Sequence, residues 1–313
     1  MKSGLTTLSA VVLTFNEERN LPACLESLAN VAAEIFLVDS GSTDRTVSIA
    51  ERHGAKVVAH PFESHSQQWQ WALATLPICS EWVLAIDADQ RLTPELGNSI
   101  AAALTASSDG TLRPAGFFLN RRQVFRGRWI RHGGYYPKYL LKLFRRDAVH
   151  LDENDLVDHH FYVAGATANL TGDLIEDNQN ENQIAVWIAK HNRYAVLQAR
   201  DEQARSVDAS LGAAFGSPDD RTRLRKRVWQ RFPLYIRPFG YFFYRYILRL
   251  GFLDGKEGFI FHFMQAFWYR LLVDINRDEL RASASRMATS SGAAGVQSRA
   301  DRPMDAAPGS AEK

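Results

Sequence analysis

Apolar and polar positions are sorted into short blocks over the first ninety residues. Leu8–Phe15, Glu34–Asp39, Ala55–Ala59 and Trp82–Asp87 are rich in Val, Ile, Leu and Phe, and three of the four end abruptly in polar or acidic side chains. Apolar runs of this length, without strict alternation, read as strands buried on both faces of a parallel sheet. Between them, Glu18–Ala29, Asp44–His53 and Ser66–Leu76 carry helical patterns. Strands alternating with helices predict a doubly wound, mostly parallel α/β sheet. Ser42 or Thr43 is the expected cap of the second helix, and Pro94-Glu95 suits the first turn of another after Thr93.

Beyond this block, Gly116–Asn120 and Tyr139–Phe144 read as further strands, with Arg121–Pro137 as the loop between them, and Ile184–Arg205 reads as one long helix. From Arg231 to Leu250 aromatics alternate with arginines, and Gly258–Ile275 continues as a Phe-, Trp- and Leu-rich helix. After about Ser283 the chain is mostly Ala, Ser and Gly with scattered charges, a composition that predicts disorder. The expected division is an α/β domain over residues 1–215, an aromatic-rich helical extension over 216–282 and a tail over 283–313.

Composition adds little to the picture, but charge does. The net charge of +2 over 313 residues hides strong local asymmetry. Arg113 to Arg146 holds ten Lys or Arg and no acid; Leu151 to Asn182 holds eight acids and no Lys or Arg; Arg221 to Lys256 holds ten bases against Asp254 alone. Cys24 and Cys79 have no metal-binding spacing and are too few for a disulfide framework, so a reduced cytosolic setting is expected. The apolar run after Lys2 is short and leads straight into Asn16-Glu17-Glu18, which predicts no secretion signal. No segment reaches the roughly twenty apolar residues that span a bilayer.

In open α/β sheets, ligands collect outside the carboxyl ends of the strands. Asp87-Ala88-Asp89 ends one such strand, with a spacing that lets one carboxylate face a divalent cation while the other orients water or sugar. Hard cations take oxygen ligands together with substrate phosphates, so the pattern suggests a metal-bound diphosphate.

Leu8 to about Pro94 resembles the family 2 glycosyltransferases, through Thr14-Phe15-Asn16-Glu17-Glu18, Ile35-Phe36-Leu37-Val38-Asp39-Ser40-Gly41-Ser42-Thr43-Asp44 and Asp87-Ala88-Asp89, in the family's order and spacing. The resemblance implies a GT-A fold and inverting transfer from a nucleotide-sugar, with a UDP-sugar favoured. It is strongest to the subset that builds lipopolysaccharide core. It further implies that Asp39 reads the nucleotide base, that Phe15, Asn16 and Glu17 face the nucleotide, that Asp89 holds Mg or Mn directly, and that Asp87 contacts the ribose or the metal's water. Arg131, in the loop Trp129–Pro137, or Arg128 just before it, is a candidate for phosphate.

An inverting transfer needs a base for the acceptor hydroxyl. The resemblance places it in Asp152–His160, where this subset is expected to carry Val-His-Glu; aligning on Val157 puts Asp158 and His159 there instead. Asp158 keeps a carboxylate within one residue, and His159 supplies an imidazole that is a competent base near neutral pH. A metal-ligand role for His159 or His160 stays open. Gln67-Gln68-Trp69-Gln70-Trp71 stands where relatives commonly carry Lys or Arg with Asn. Residues two apart do not share a helix face, which makes Trp71 the expected core residue and Trp69 the expected sugar-stacking one.

The aromatic, basic C-terminal helices suit the bilayer interface. They predict peripheral attachment to the inner face of the cell membrane, with a buried hydrophobic cap as the alternative, and hence a glycan or lipid-linked acceptor. Two other functions remain: a nucleotide-sugar or glycan-binding protein impaired in catalysis, and a nucleotidyltransferase, although Thr14–Asn20 lacks a glycine-rich triphosphate loop. No GxGxxG follows the first strand, which disfavours a dinucleotide oxidoreductase. The basic runs flank a diphosphate site and a membrane face, so no nucleic-acid partner is expected.

Overall fold

A computed structural model describes residues 8–108, 114–151, 160–208 and 232–300. The block pattern of the N-terminal half becomes β1 (Leu8–Thr14), α1 (Leu21–Leu28), β2 (Glu34–Asp39), α2 (Thr46–Arg52), β3 (Lys56–Ala59), α3 (His65–Thr75) and β4 (Trp82–Asp87). There follow β5 (Gln90–Leu92), α4 (Pro94–Ser108), β6 (Gly116–Phe125), β7 (Arg128–Trp129), β8 (Tyr139–Arg145), β9 (Val149–Leu151), β10 (Phe161–Val163) and β11 (Thr167–Glu176). The main sheet runs β3-β2-β1-β4-β8-β6-β11-β5, with β7 hairpinned onto β6 and β9–β10 forming a separate ribbon. Its first four strands are parallel; β8 is antiparallel to both β4 and β6, and β11 returns parallel to β6.

Both faces of the parallel half are covered. Leu8, Ala10 and Val12 of β1 pack with Leu21, Leu25 and Leu28 of α1 and Leu96, Ile100 and Leu104 of α4. Val11, one residue out of step, packs on the other face with Phe36, Val83 and Trp69. Full burial of one such side chain stabilises by about 1.5–3 kcal/mol, so both faces demand apolar residues and the strands lose alternation.

Two expectations for the helices are corrected. Neither Ser42 nor Thr43 caps α2: Ser42 Oγ accepts from Asn16 N at 2.8 Å, Thr43 N donates to Asn16 Oδ1 at 2.8 Å, and Asp44 Oδ1 accepts from Thr46 N at 2.9 Å. Thr93 does serve α4, its Oγ1 accepting from Leu96 N. The two tryptophans of α3 are buried in the opposite order to that expected. Trp69 is fully buried, edge-on to Phe161, whereas Trp71 is half-buried and stacked on His60 at 3.9 Å. Successive residues on a helix rotate by roughly 100°, and the turn that brings Ala72 and Leu76 to the sheet brings Trp69 with them.

The expected loop Arg121–Pro137 is shorter, because β6 runs on to Phe125 and turns through Arg126 and Gly127, both with positive φ, into β7. A 3₁₀ turn, Gln179–Asn182, leads into α5 (Ile184–Asp208). The helical extension comprises α6 (Arg237–Phe243, widening to a π turn through Leu248), α7 (Gly255–His262, widening through Trp268) and α8 (Tyr269–Ala300). Helix α8 thus continues past Ser283, where disorder was expected; residues 301–313 lie outside the described ones.

One side of this extension is a packed cap. Phe261 meets Phe125, Ile130, Tyr135 and Trp187, and Tyr269 and Val273 meet Ala195 and Ala199 of α5. Buried Arg237 bonds Asp274 and Glu202, and Glu202 also accepts from Arg277 Nη1 at 2.7 Å, tying α5, α6 and α8 together. The other side is open: Ile236, Phe239 and Leu248 are each more than 60% exposed. Among the described residues, no helix is long and apolar enough to cross a membrane.

Candidate active site

The parallel register gathers the candidate residues at one sheet edge. Thr14 lies opposite Asp39, and Leu13 lies between Val38 and Asp87, so the ends of β1, β2 and β4 abut. Asn16, at φ 54°, turns the chain sharply there, a left-handed conformation that Asn tolerates. Phe15, Glu17, Asp87 and Asp89 all line one continuous cleft.

Asp39 and Asn16 stand behind that lining. The Asp39 carboxylate accepts from Gly41 N at 3.0 Å, Ser42 N at 2.8 Å, Ser42 Oγ at 2.5 Å and Thr14 Oγ1 at 3.3 Å. Those four bonds occupy the acceptor sites of an ionised carboxylate. Here Asp39 holds the β2–α2 turn, and its neighbour Ser40 reaches the cleft. Phe15 is 57% exposed and presents an aromatic surface beside it.

Asp87 and Asp89 sit in contrasting surroundings. Asp87 Oδ2 lies 2.8 Å from Nζ of Lys142, a buried lysine supplied by the adjacent strand β8. Asp89 accepts from Asn178 Nδ2 at 3.0 Å. Burial holds the Asp89 carboxyl well above the usual carboxylate range, and the negative charges of Glu176, Asp87 and Glu17 add to the effect against the opposing Lys190. Burial likewise raises Glu17, whose Oε2 accepts from Asn20 Nδ2 at 2.6 Å and Asn180 Nδ2 at 3.3 Å. Burial alone would raise Glu176 too, but Arg121, 3.1 Å away, and a hydrogen bond from Gln90 hold it below its ordinary value. Lys190 Nζ bonds Glu181 Oε1.

Asp89 is thus buried close to the carboxylates of Glu176, Asp87 and Glu17, with Lys190 opposing them, a cluster of oxygens that could accept a divalent cation. Among the described residues, no three His, Cys, Asp or Glu side chains are disposed to hold a metal by themselves. A cation here would take a carboxylate oxygen of Asp89 and draw its other ligands from diphosphate oxygens and water, a donor set that suits Mg or Mn.

Arg131 is not brought to the cleft. It is exposed, with its guanidinium 5.3 Å from the Trp129 ring. The cations that do line the cleft include Arg121, Lys138, Lys142 and Lys190. Asp158 and His159 lie outside the described residues; His160, next in sequence, lines the cleft. Reading the sequence also passed over Glu176, Asn178 and Glu181, and gave the segment with Lys190 no role beyond packing or a membrane-proximal contact. Their signal was the acidic stretch ending at Asn182, directly before a helix that carries Lys190.

Known proteins resemble this chain in sequence. Residues 9–155 match the family described as Glycosyl transferase family 2. The lipopolysaccharide core biosynthesis glycosyltransferase LpsC of Rhizobium meliloti is 32% identical over 217 residues, covering 64% of this chain and 72% of that protein. An uncharacterized glycosyltransferase of Rickettsia conorii is 41% identical over 100 residues, 32% of this chain and 34% of its own length. The chain thus spans about a third of that rickettsial relative. Solved structures include residues 1–349 of TarS from S. aureus, with 15% identity, 90% and 91% coverage and a TM-score of 0.42. Glucosyl-3-phosphoglycerate synthase from Mycobacterium tuberculosis, with Mn2+ and UDP-glucose, shows 24% identity, 40% and 46% coverage and a TM-score of 0.29. The chain belongs to glycosyltransferase family 2.

Proposed function

We propose that the protein is an inverting, metal-assisted glycosyltransferase. It moves a sugar from a nucleoside-diphosphate donor, with UDP favoured by the family resemblance, to a glycan or lipid-linked acceptor at the inner face of the cell membrane. Likeness to LpsC supports a place in lipopolysaccharide or exopolysaccharide assembly. The observation that carries the proposal is the convergence of Glu17, Asp87 and Asp89 at the abutting ends of β1 and β4 in one cleft.

Within that cleft, Phe15 offers a face for the base, and Asp89, oriented by Asn178, holds the cation. Bound there, Mg or Mn would neutralise charge on the diphosphate as it leaves. Lys142 holds Asp87, which lines the cleft. Asp158, or His159 in its place, takes the proton of the acceptor hydroxyl. The open aromatic side of α6 and α7 suits the headgroup level of a bilayer, where rings and arginines are favoured.

A thermal-shift panel of UDP-, GDP-, TDP- and CMP-sugars, with and without Mn or Mg, tests the donor site. A metal-dependent shift with one nucleotide, lost in Asp89→Asn, is the expected result; no shift with any of them overturns the proposal. Asp158→Asn and His159→Ala, assayed at saturating donor, distinguish the two bases. Donor binding without turnover on any acceptor favours the catalytically impaired binding protein instead.

A further inference from the structure

We infer a second anion site in the cleft, formed by Arg245 and Arg249 over Gly134 and suited to a phosphoryl group carried by an amphiphile. This rests on the acceptor reading above and deepens it: the acceptor bears a phosphate at the junction of its polar and apolar parts.

Two guanidinium groups converge on one glycine. A β-carbon at Gly134 would lie 3.5 Å from Nη1 of Arg245 and 3.5 Å from both Nε and Nη2 of Arg249. Gly134 has φ +77°, so the position favours a residue without a side chain, and the space beside its backbone stays free. Both arginines and Gly134 line the same cleft as Asp89.

Arg245 is held in place by groups that leave its charge uncompensated. Its Nη1 donates to Gly133 O at 2.7 Å, its Nη2 donates to the Tyr241 hydroxyl, and its plane lies 4.5 Å from the Tyr135 ring centroid. Its buried Nε has no hydrogen-bond partner among the described residues. Among the described residues, neither Arg245 nor Arg249 pairs with a carboxylate. The nearby acid, Asp254, is taken by His132, whose Nδ1 lies 2.7 Å from it.

Two like charges this close repel, and a partly buried cation lacks full hydration; an anion bridging both relieves each cost. Planar guanidinium forks match phosphoryl oxygens two at a time, which a single lysine cannot do. The same lining continues into Phe239 and Tyr244, both exposed aromatic rings. A phosphate with a hydrocarbon tail fits that boundary, whereas a free phosphate would leave the rings uncovered.

The test uses the full chain and vesicles of phosphatidylcholine, with or without phosphatidic acid, at about 0.15 M ionic strength. Wild type, Arg249→Ala, Arg249→Lys and the control Lys256→Ala are compared; Lys256 is exposed on the same extension. Phosphatidic acid is expected to tighten wild-type binding about tenfold, and both Arg249 variants to lose about fivefold of that gain while Lys256→Ala keeps it. Equal losses in Arg249→Ala and Lys256→Ala overturn the site, since general surface charge then explains the binding. Competition by inorganic phosphate at the same concentration as phosphatidic acid overturns the amphiphile. A weakened donor-dependent thermal shift in Arg249→Ala assigns the arginine to the donor and overturns the proposal. The donor reading fails separately, through Asp89→Asn, whether or not the vesicles bind.

Discussion

Asn178 donates from Nδ2 to Asp89 Oδ2 across 3.0 Å, joining residues 89 positions apart at the centre of the candidate active site. The same amide nitrogen donates to Glu181 Oε1 at 3.2 Å, and its oxygen accepts from Asn180 N, Glu181 N and Asn20 Nδ2. One side chain thus caps the 3₁₀ turn, tethers the β1–α1 loop and aims the carboxylate expected to meet the cation.

Asn178→Ala is therefore expected to weaken metal use more than folding. Removing a partner that orients a metal-binding carboxylate typically costs about 10–100-fold in metal affinity. Titrating Mn against the donor-dependent thermal shift reads this directly. An unchanged midpoint for Mn in Asn178→Ala assigns Asn178 to the turn alone.

Lys142→Met is expected to destabilise the protein. The lysine is buried, and its loss leaves Asp87 without its cation. A fully buried pair broken on one side costs about 3–5 kcal/mol. The Asp87 side chain keeps 28% of its exposure, so about 2 kcal/mol is the better expectation here. Denaturant unfolding of Lys142→Met and of Lys142→Met with Asp87→Asn checks it: the double variant should recover part of the loss, and no recovery rules the pair out as the cause.

The parallel half of the fold was legible because its strands are buried on both faces, which forces continuous apolar runs such as Ala10–Leu13 and Val83–Ile86. The strand-end acids were legible for a related reason, since polar residues directly after such runs must lie at the sheet edge. Long-range partners were not. Lys142 enters from an antiparallel neighbour and Asn178 from beyond β11, and no local spacing links either to Asp87 or Asp89. Asp39 shows a subtler limit: the sequence marks its place at the strand end, but no spacing announces that Thr14, Gly41 and Ser42 together bring four donors to its carboxylate. The helical extension read two ways, as a membrane-surface element or a packed cap, because a helix facing both a protein core and an open face is aromatic all round, like one lying in an interface.

The two tryptophans of α3 give different expectations for stability. Trp69→Ala removes a fully buried side chain and should cost about 3–5 kcal/mol. Trp71→Ala removes a half-buried ring stacked on His60 and should cost about 1 kcal/mol. Paired unfolding curves decide between the two helix faces; similar costs for both would contradict the packing of α3.

His191 supplies the clearest dependence on pH. It stacks on Trp187 at 3.5 Å, and burial lowers its imidazole below the ordinary 6.5. A base whose folded value is depressed stabilises the fold above its unfolded value, and the contribution is lost as pH falls through the folded one. Wild type should therefore lose stability on acidification from about pH 7 to 5 relative to His191→Gln, which cannot titrate. Parallel melting curves for the two proteins across that range should diverge, and parallel slopes would contradict the burial of this ring.

The open side of the extension makes the last expectation. Phe239 and Leu248 are 62% and 61% exposed, so replacing both with Ser removes little packing and should shift folding stability by no more than about 0.5 kcal/mol each. Inserted into an interface, each apolar side chain contributes about 1–2 kcal/mol through buried area. The double variant should then partition about 30–1000-fold less onto anionic liposomes in a flotation assay while melting normally. Normal melting with undiminished flotation would remove these two side chains from the membrane contact. It would leave the basic stretch Arg221–Arg231, with six Lys or Arg in eleven residues, as the source of attachment. High salt separates the two, because it releases a protein held by charge and leaves one held by apolar area in place.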